Sequence, residues 1–222
     1  MLAGAFSKGI ALTTQFISAA ADLAAESVKL AADFETTVNG LAVFSGSLAS
    51  ARRELLAIDK IAAETTGLRL QSAEEGYQRL RALNFEAGLT QKLVKGIANQ
   101  KLLSGSDEGA VDRVIVNLTQ IRASAKDGAR DIKEMIKAIP SLSGVFQDVF
   151  KTSSTSELRK ILQQNPKDFF DRFATGLANA KQAQGGLNDS IGKFYDSLTL
   201  AGRATGEPLL SPLNDDVKDL TS

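Results

Sequence analysis

Paired carboxylates are the groups of this chain whose types and spacing could do acid–base chemistry. Glu74-Glu75 and Asp215-Asp216 are adjacent acids, the residue type that general acid–base catalysis uses in pairs. Neighbours in a helix diverge by about 100°, so neither pair converges on one substrate. Each reads instead as a solvated face or a helix cap. Glu64-Thr65-Thr66 sets an acid beside two hydroxyls, but Gly67 follows at once and marks a helix C-terminus. The stretch "GSDEGAVD" gathers Asp107, Glu108 and Asp112, yet it lacks the length and ligand spacing of an EF-hand loop. Acids at that place suit the positive end of a helix dipole. Phe169, Phe170 and Phe173 could stack on bases if they were interleaved with a basic patch. At helical intervals they read as core.

The remaining chemistry is excluded by composition. The chain has no Cys and no His, which removes thiol nucleophiles, thiolate metal sites, disulfides and imidazole bases. Neither a phosphate-binding P-loop nor a dinucleotide-binding glycine motif occurs. No catalytic, cofactor-binding or metal-ligating residue is therefore assigned, no cofactor is implied, and the chain is read as non-enzymatic. Lys plus Arg and Asp plus Glu number 26 each, so nothing demands the basic face that duplex binding uses, and sequence-specific nucleic-acid binding is not expected. With 43% hydrophobic and 23% charged residues, the composition fits a soluble globular protein. No apolar run is long enough to span a bilayer. The N-terminal "MLAGAFSKGIALTTQFISAAADLAAE" makes a poor signal peptide, because Lys8 follows apolar residues and Thr13, Thr14, Gln15 and Ser18 dilute the run.

The elements that must carry these residues read as helices. No proline precedes Pro140, good helix formers dominate, and alternating strand patterns are absent. A long first helix is expected from Leu2 to Asn39, with Ile10, Ile17, Ala24, Ala31 and Val38 on one stripe and Phe16, Leu23 and Leu30 on the next. Ser47 is placed to cap a second helix on Leu48, Ala51, Leu55, Ile58 and Ala62. Ser72 with Glu75 suggests a capping box for a third, through Tyr77, Leu80 and Leu83, stopped at Gly88. Thr90 is expected to cap a fourth helix, and Ser106 or Asp107 a fifth. Asp127-Gly128 reads as a turn. Ile132, Met135, Ile136 and Ile139 then form a stripe that Pro140 interrupts, and Leu142, Val145, Phe146, Val149 and Phe150 restart it, which predicts a corner between two helices. Ser154 with Glu157 suggests another capping box. Asn165 with Pro166 predicts a capped start for the phenylalanine helix. Gly185-Gly186 reads as a turn before a last helix with Leu187, Ile191, Phe194, Tyr195 and Leu198. Beyond Gly202 the Gly- and Pro-rich tail reads as a flexible linker.

The expected fold is all-α, about eight helices in one compact bundle-like domain with a long N-terminal helix and a flexible C-terminal tail. The expected division is an amphipathic helix at 1–40, a helical domain at 41–201, and a linker or the start of a following region at 202–222.

From about Phe34 to Leu210 the order of motifs resembles the tape measure domain of tailed-bacteriophage tail tape measure proteins. The segments that carry the likeness are "ADFETTVNGLAVFSGSLASARRELLAIDKIAAETTGL", "EEGYQRLRALNFEAGLT", "VIVNLTQIRASAKDGARDIKEMIKAIPSLSGVFQDVFKTSSTSELRKIL", "DFFDRFATGLA" and "SIGKFYDSL". In the longest, an "LTQI" helix leads to a Gly turn, a helix ending in "IP", a short helix and a Ser/Thr-capped "EL" helix. The central turn, "SAKDGARDIKEM", departs from the Lys-Gly turn and Gln- or Glu-rich helix often found there. The resemblance implies a virion structural protein of a phage or prophage, acting in tail assembly and tail-length determination. It implies the tail tube protein and tail assembly chaperones as partners, and the tail interior as location, after assembly in the host cytoplasm. It brings no catalytic residues. A fully helical chain of 222 residues reaches only about 330 Å, so the expectation is one domain of a longer ruler or a short relative of one. Self-association and host-membrane contact stay open. Two other readings also stand: a membrane-active helical protein in pore formation or DNA ejection, suggested by the alanine-rich first helix, and a generic helical adaptor.

Overall fold

Every regular element among the described residues is a helix. The computed structural model describes residues 29–66, 68–107, 109–124, 128–181, 196, 197 and 199–204. Helix α1 occupies 29–45, followed by α2 (Leu48–Glu64), α3 (Leu70–Ala82), α4 (Ala87–Leu103), α5 (Ala110–Ala123), α6 (Gly128–Ala138), α7 (Leu142–Phe150), α8 (Thr155–Gln164) and α9 (Pro166–Asn179). A helical stretch at 196–204, within which residue 198 is not described, is α10. The expected count of about eight is thus too low, since ten helical stretches are present among the described residues.

The chain groups into two units, residues 41–196 and residues 1–40 with 197–222. In the smaller unit Ala31, Phe34 and Val38 are buried, and the Arg203 guanidinium stands 5.5 Å above the Phe34 ring. Most of the expected Leu2–Asn39 helix lies outside the described residues. Its described end does not stop at Gly40: helical backbone continues to residue 45 and ends where Gly46 turns left-handed at φ +78°.

In the larger unit α4 is the central helix, touching α2, α3, α5 and α9. Leu93, Val94, Ile97 and Ala98 are buried, and so are Thr90, Gly96, Asn99, Gln100 and Lys101, as befits a helix enclosed on most sides. Thr90 is therefore no N-cap. It sits inside α4 and donates to the Glu86 carbonyl at 2.9 Å. Gly88 likewise lies within α4 and does not stop α3. That stop is Asn84, at φ +60°, with Asn84 N–H donating to the Arg81 carbonyl and Phe85 N–H to that of Leu80. This is a Schellman end with asparagine in the left-handed position.

Glycines inside helices mark the crossings. A Cβ on Gly96 would lie 2.5 Å from the Leu177 Cβ of α9, and one on Gly128 would lie 2.7 Å from Leu162 Cδ2 of α8. Gly76 meets Ile115 of α5, and Gly176 meets Val149 and Val145 of α7, in the same way. Against α9 a phenylalanine cluster closes the core. Phe146 stacks on Phe173 at 4.9 Å and Phe150 on Phe169 at 4.8 Å, while Phe85 meets Phe170 edge-on at 4.9 Å. Offset and edge-to-face pairs of this kind add about 0.5–1.5 kcal/mol beyond the area they bury.

The Pro140 corner forms as the interrupted stripe predicts. Ile132, Met135 and Ile139 are buried before it, and Leu142, Val145, Phe146 and Phe150 after it. Leu142, Ser143 and Gly144 donate to the carbonyls three residues back, at 3.1 Å each. Ser141 locks the corner to the end of α4, donating from its hydroxyl to the Gln100 carbonyl at 2.9 Å and from its N–H to Ser104 Oγ at 2.9 Å. Pro140 itself precedes the N-cap Ser141 and is not the first helical residue.

Other helix starts sort by where their caps come from. Ser47 accepts from Ser50 N–H at 3.1 Å, and Asn165 from Asp168 N–H at 3.1 Å with Pro166 at the first helical position. The Ser72/Glu75 box does not form: α3 opens two residues earlier, and Glu75 accepts from Gln71 and Arg79. The first N–H of α3, that of Leu70, points to Asp196 Oδ2 at 3.4 Å, and Asp196 also pairs with Arg69 at 3.0 Å. In place of the Ser154/Glu157 box, the Thr152 hydroxyl donates to Glu157, and Thr152 Oγ1 accepts from Ser154 N–H at 3.1 Å. Helix α5 begins at Ala110 with Gly109 as N-cap, later than Ser106 or Asp107. Gly128 is the first residue of α6. Gly67, Asp127, Gly185, Gly186 and the Leu187–Tyr195 stripe lie outside the described residues. Helical backbone persists through Gly202 to residue 204, past the expected start of the linker.

The Gly96 crossing gives a direct test. Gly96→Ala is expected to destabilise the protein by about 1–3 kcal/mol through overpacking on Leu177. Gly88→Ala, whose Cβ meets nothing within 4 Å, is expected to stabilise it by up to about 1 kcal/mol through helix propensity. Urea unfolding of the two variants measures both. Equal effects would show that α4 and α9 do not pack as described.

Candidate functional site

The α3–α4 turn presents the structure's most elaborated polar cluster. Tyr77 and Arg81 lie one helical turn apart on α3 and face Glu54 of α2. The Tyr77 hydroxyl donates to Glu54 Oε2 at 2.8 Å, and Arg81 Nε donates to the same oxygen at 2.9 Å. Arg81 Nη2 reaches Glu54 Oε1 at 3.3 Å and the Phe44 carbonyl at 3.1 Å, and its Nη1 the Phe85 carbonyl at 2.6 Å. The two charged side chains are only 11% and 16% exposed. Burial pushes the Glu54 carboxyl up, but the hydrogen bonds from Arg81 and Tyr77 and the Arg81 charge outweigh it and hold the group below its ordinary value. Burial, with the Glu54 carboxylate beside it, pushes the Tyr77 phenol well above its ordinary range. A phenol so held is a fixed donor and not a base. The cluster is a brace, and what it positions is Phe85.

Phe85 walls a hollow of about 290 Å³ where three elements meet. Glu86 stands at the start of α4, Arg122 in the last turn of α5, and Lys167, Phe170 and Asp171 in the first two turns of α9. The Arg122 guanidinium lies 5.3 Å over the Phe85 ring, within the range of a cation–π contact. Among the described residues, Glu86, Arg122, Lys167 and Asp171 form no ion pair with one another.

A second, larger concavity of about 950 Å³ runs between α5 and α6, lined among others by Asp112, Arg113, Arg130, Asp131, Glu134 and Lys137. Here some of the charges are already paired. Arg113 pairs with Asp107 at 2.6 Å and Lys137 with Glu134 at 2.7 Å. Arg113 donation holds the exposed Asp107 below its ordinary value, and Lys137 does the same for Glu134.

The acids considered in the sequence are scattered. Glu74 is buried in α3, while Glu75 faces solvent-side partners Gln71 and Arg79. Glu64 ends α2 and is an exposed i,i+4 partner of Lys60. Asp107 joins Arg113, and Asp112 lies in the first turn of α5. Glu108, Asp215 and Asp216 lie outside the described residues. Phe169, Phe170 and Phe173 are buried. Among the described residues no group of three or more acids could hold a metal ion. Sequence reasoning missed Glu54, Tyr77 and Arg81 as a cluster, though Tyr77 and Arg81 at i and i+4 were a visible cue. It also missed Arg122 and Lys167, which only the fold brings together.

The brace predicts a pH signature. Because the Glu54 pKa is lowered on folding, its stabilisation is complete above its ordinary value of 4.5 and is lost as pH falls through the lower folded value. Glu54→Gln is therefore expected to be less stable at neutral pH, with a flatter stability profile than the parent from about pH 5 down to about pH 3. Arg81→Ala is expected to cost about 2–4 kcal/mol, because it strands a largely buried carboxylate. Urea midpoints across that range measure both effects, and a Glu54→Gln profile parallel to the parent's would refute the assignment.

No protein-family model, curated protein or solved structure matches this chain.

Proposed function

We propose that this chain is a structural, non-enzymatic domain of a tailed-phage tail tape measure protein, acting in tail assembly and tail-length determination. The order of helix ends along the central segment carries the reading. The "LTQI" residues lie in α5, α6 opens on Gly128 and closes before Ile139-Pro140, and α7 is a short helix of 9 residues. Helix α8 then holds the "SEL" residues, and α9 the "DFFDRF" residues behind an asparagine cap. That succession follows the order the resemblance implies, except that Gly128 opens α6 and the Ser154 side chain makes no cap bond. It is supported further by the distribution of chemistry: the strongest polar cluster, around Glu54 and Arg81, is spent on bracing backbone.

On this reading residues 41–196 act as one helical domain of the tail interior. The partners are the tail tube protein and the assembly chaperones, met first in the host cytoplasm. The test is the composition and length of tails purified from the phage or induced prophage that encodes the chain. Peptides of this chain are expected in the purified tails. In-frame removal of helical residues from the protein that carries it is expected to shorten the tails by about 1.5 Å per residue removed. Tails that lack the chain, or tails of unchanged length, would overturn the proposal.

A further inference from the structure

We propose that the hollow at the α3–α4 turn binds a small zwitterion with an apolar body, of which an apolar free α-amino acid is the simplest. This inference stands apart from the role in tails. Its first ground is charge. The two cations at the rim, Arg122 and Lys167, and the two anions, Glu86 and Asp171, surround one hollow without pairing among the described residues. In the α5–α6 groove two of the three cations, Arg113 and Lys137, are already paired. A ligand that carries a carboxylate and an ammonium on one carbon satisfies both signs at once. A simple anion or cation would leave one pair facing it with like charge.

The second ground is preorganisation. Arg122 is held over the Phe85 ring at 5.3 Å, so its planar fork is oriented before any carboxylate arrives. Phe85 is in turn fixed by Arg81 through its carbonyl and by Phe170 edge-on at 4.9 Å. Side chains ordered in advance spare a ligand part of the entropic cost of binding. The third ground is a helix end. Helix α4 begins at this hollow, with Glu86 as an N-cap that makes no side-chain cap bond, and its positive dipole end favours the carboxylate on that side. The size sets the class: drug-sized ligands fill about 300–1,000 Å³, and a hollow of about 290 Å³ admits an amino acid and little more.

The experiment is a titration of the isotope-labelled full chain by two-dimensional NMR with three probes: phenylalanine, N-acetylphenylalanine and phenylalaninamide. Phenylalanine is expected to shift the backbone amides of Phe85, Arg122 and Lys167. Loss of either its ammonium or its carboxylate is expected to weaken binding about tenfold. In Arg122→Gln the advantage of phenylalanine over phenylalaninamide should shrink, while its advantage over N-acetylphenylalanine remains. Equal responses to the three probes, or no shift of those amides with phenylalanine, would overturn the proposal. The probe series on the unaltered chain decides the question even if the variant does not fold.

Discussion

The larger unit depends on one steric constraint, the close approach of α4 to α9 at Gly96. Where Gly96 faces Leu177, a single methyl would collide with the opposing side chain near its backbone. Interiors pack at crystal-like density, so this approach sets how far α9 can sit from the central helix. It then sets the position of the phenylalanines that α9 carries, and through Phe173 and Phe169 the position of α7. Gly76, Gly128 and Gly176 repeat the device at α3–α5, α6–α8 and α7–α9. Small residues at the crossings let helix backbones come together, and the larger apolar residues on either side fill the remaining space.

Apolar burial supplies most of the cohesion, but it does not fix where helices begin and end. Three long-range polar ties do that work. Arg81 joins the end of α1, helix α2 and the α3–α4 turn through Phe44, Glu54 and Phe85. Asp196 supplies the N-terminal acceptor that the start of α3 lacks locally. Ser141 couples the Pro140 corner to the last carbonyls of α4. Each tie satisfies backbone groups that helix ends otherwise leave without intrahelical partners.

These ties also explain which parts of the fold were legible in the sequence. The helices themselves were, because stripes such as Leu48, Ala51, Leu55, Ile58 and Ala62 state their period outright. Caps built from adjacent residues, at Ser47 and Asn165, were legible too. Caps supplied from a distance were not: nothing near Leu70 announces Asp196, so the local Ser72/Glu75 pattern pointed to the wrong start. Glycine misled the reading most. Gly88 was expected to stop a helix, and Gly40 to end one, yet both lie inside helices. The sequence does not say whether a glycine serves a turn or a crossing, since that depends on what packs against it. The hollow was illegible for a related reason. Glu86, Arg122 and Lys167 sit on three helices, and no spacing relates them until the fold does.

The geometry of α4 and α9 makes that hollow possible. The partners Phe85–Phe170, Gly96–Leu177 and Asn99–Lys181 advance together along both chains, so the two helices run in the same direction. Helices joined by a short loop run antiparallel, and their opposite dipole ends then fall side by side. A parallel pair requires a long crossover, which α5 to α8 provide. Its N-termini consequently converge at one end of the unit, where the last turn of α5 adds Arg122. Arg122 and Lys167 are met there by Glu86 and Asp171, in a chain whose charges balance overall. The meeting of these four side chains is a consequence of topology, and it persists as long as Gly96 allows α4 and α9 to lie together.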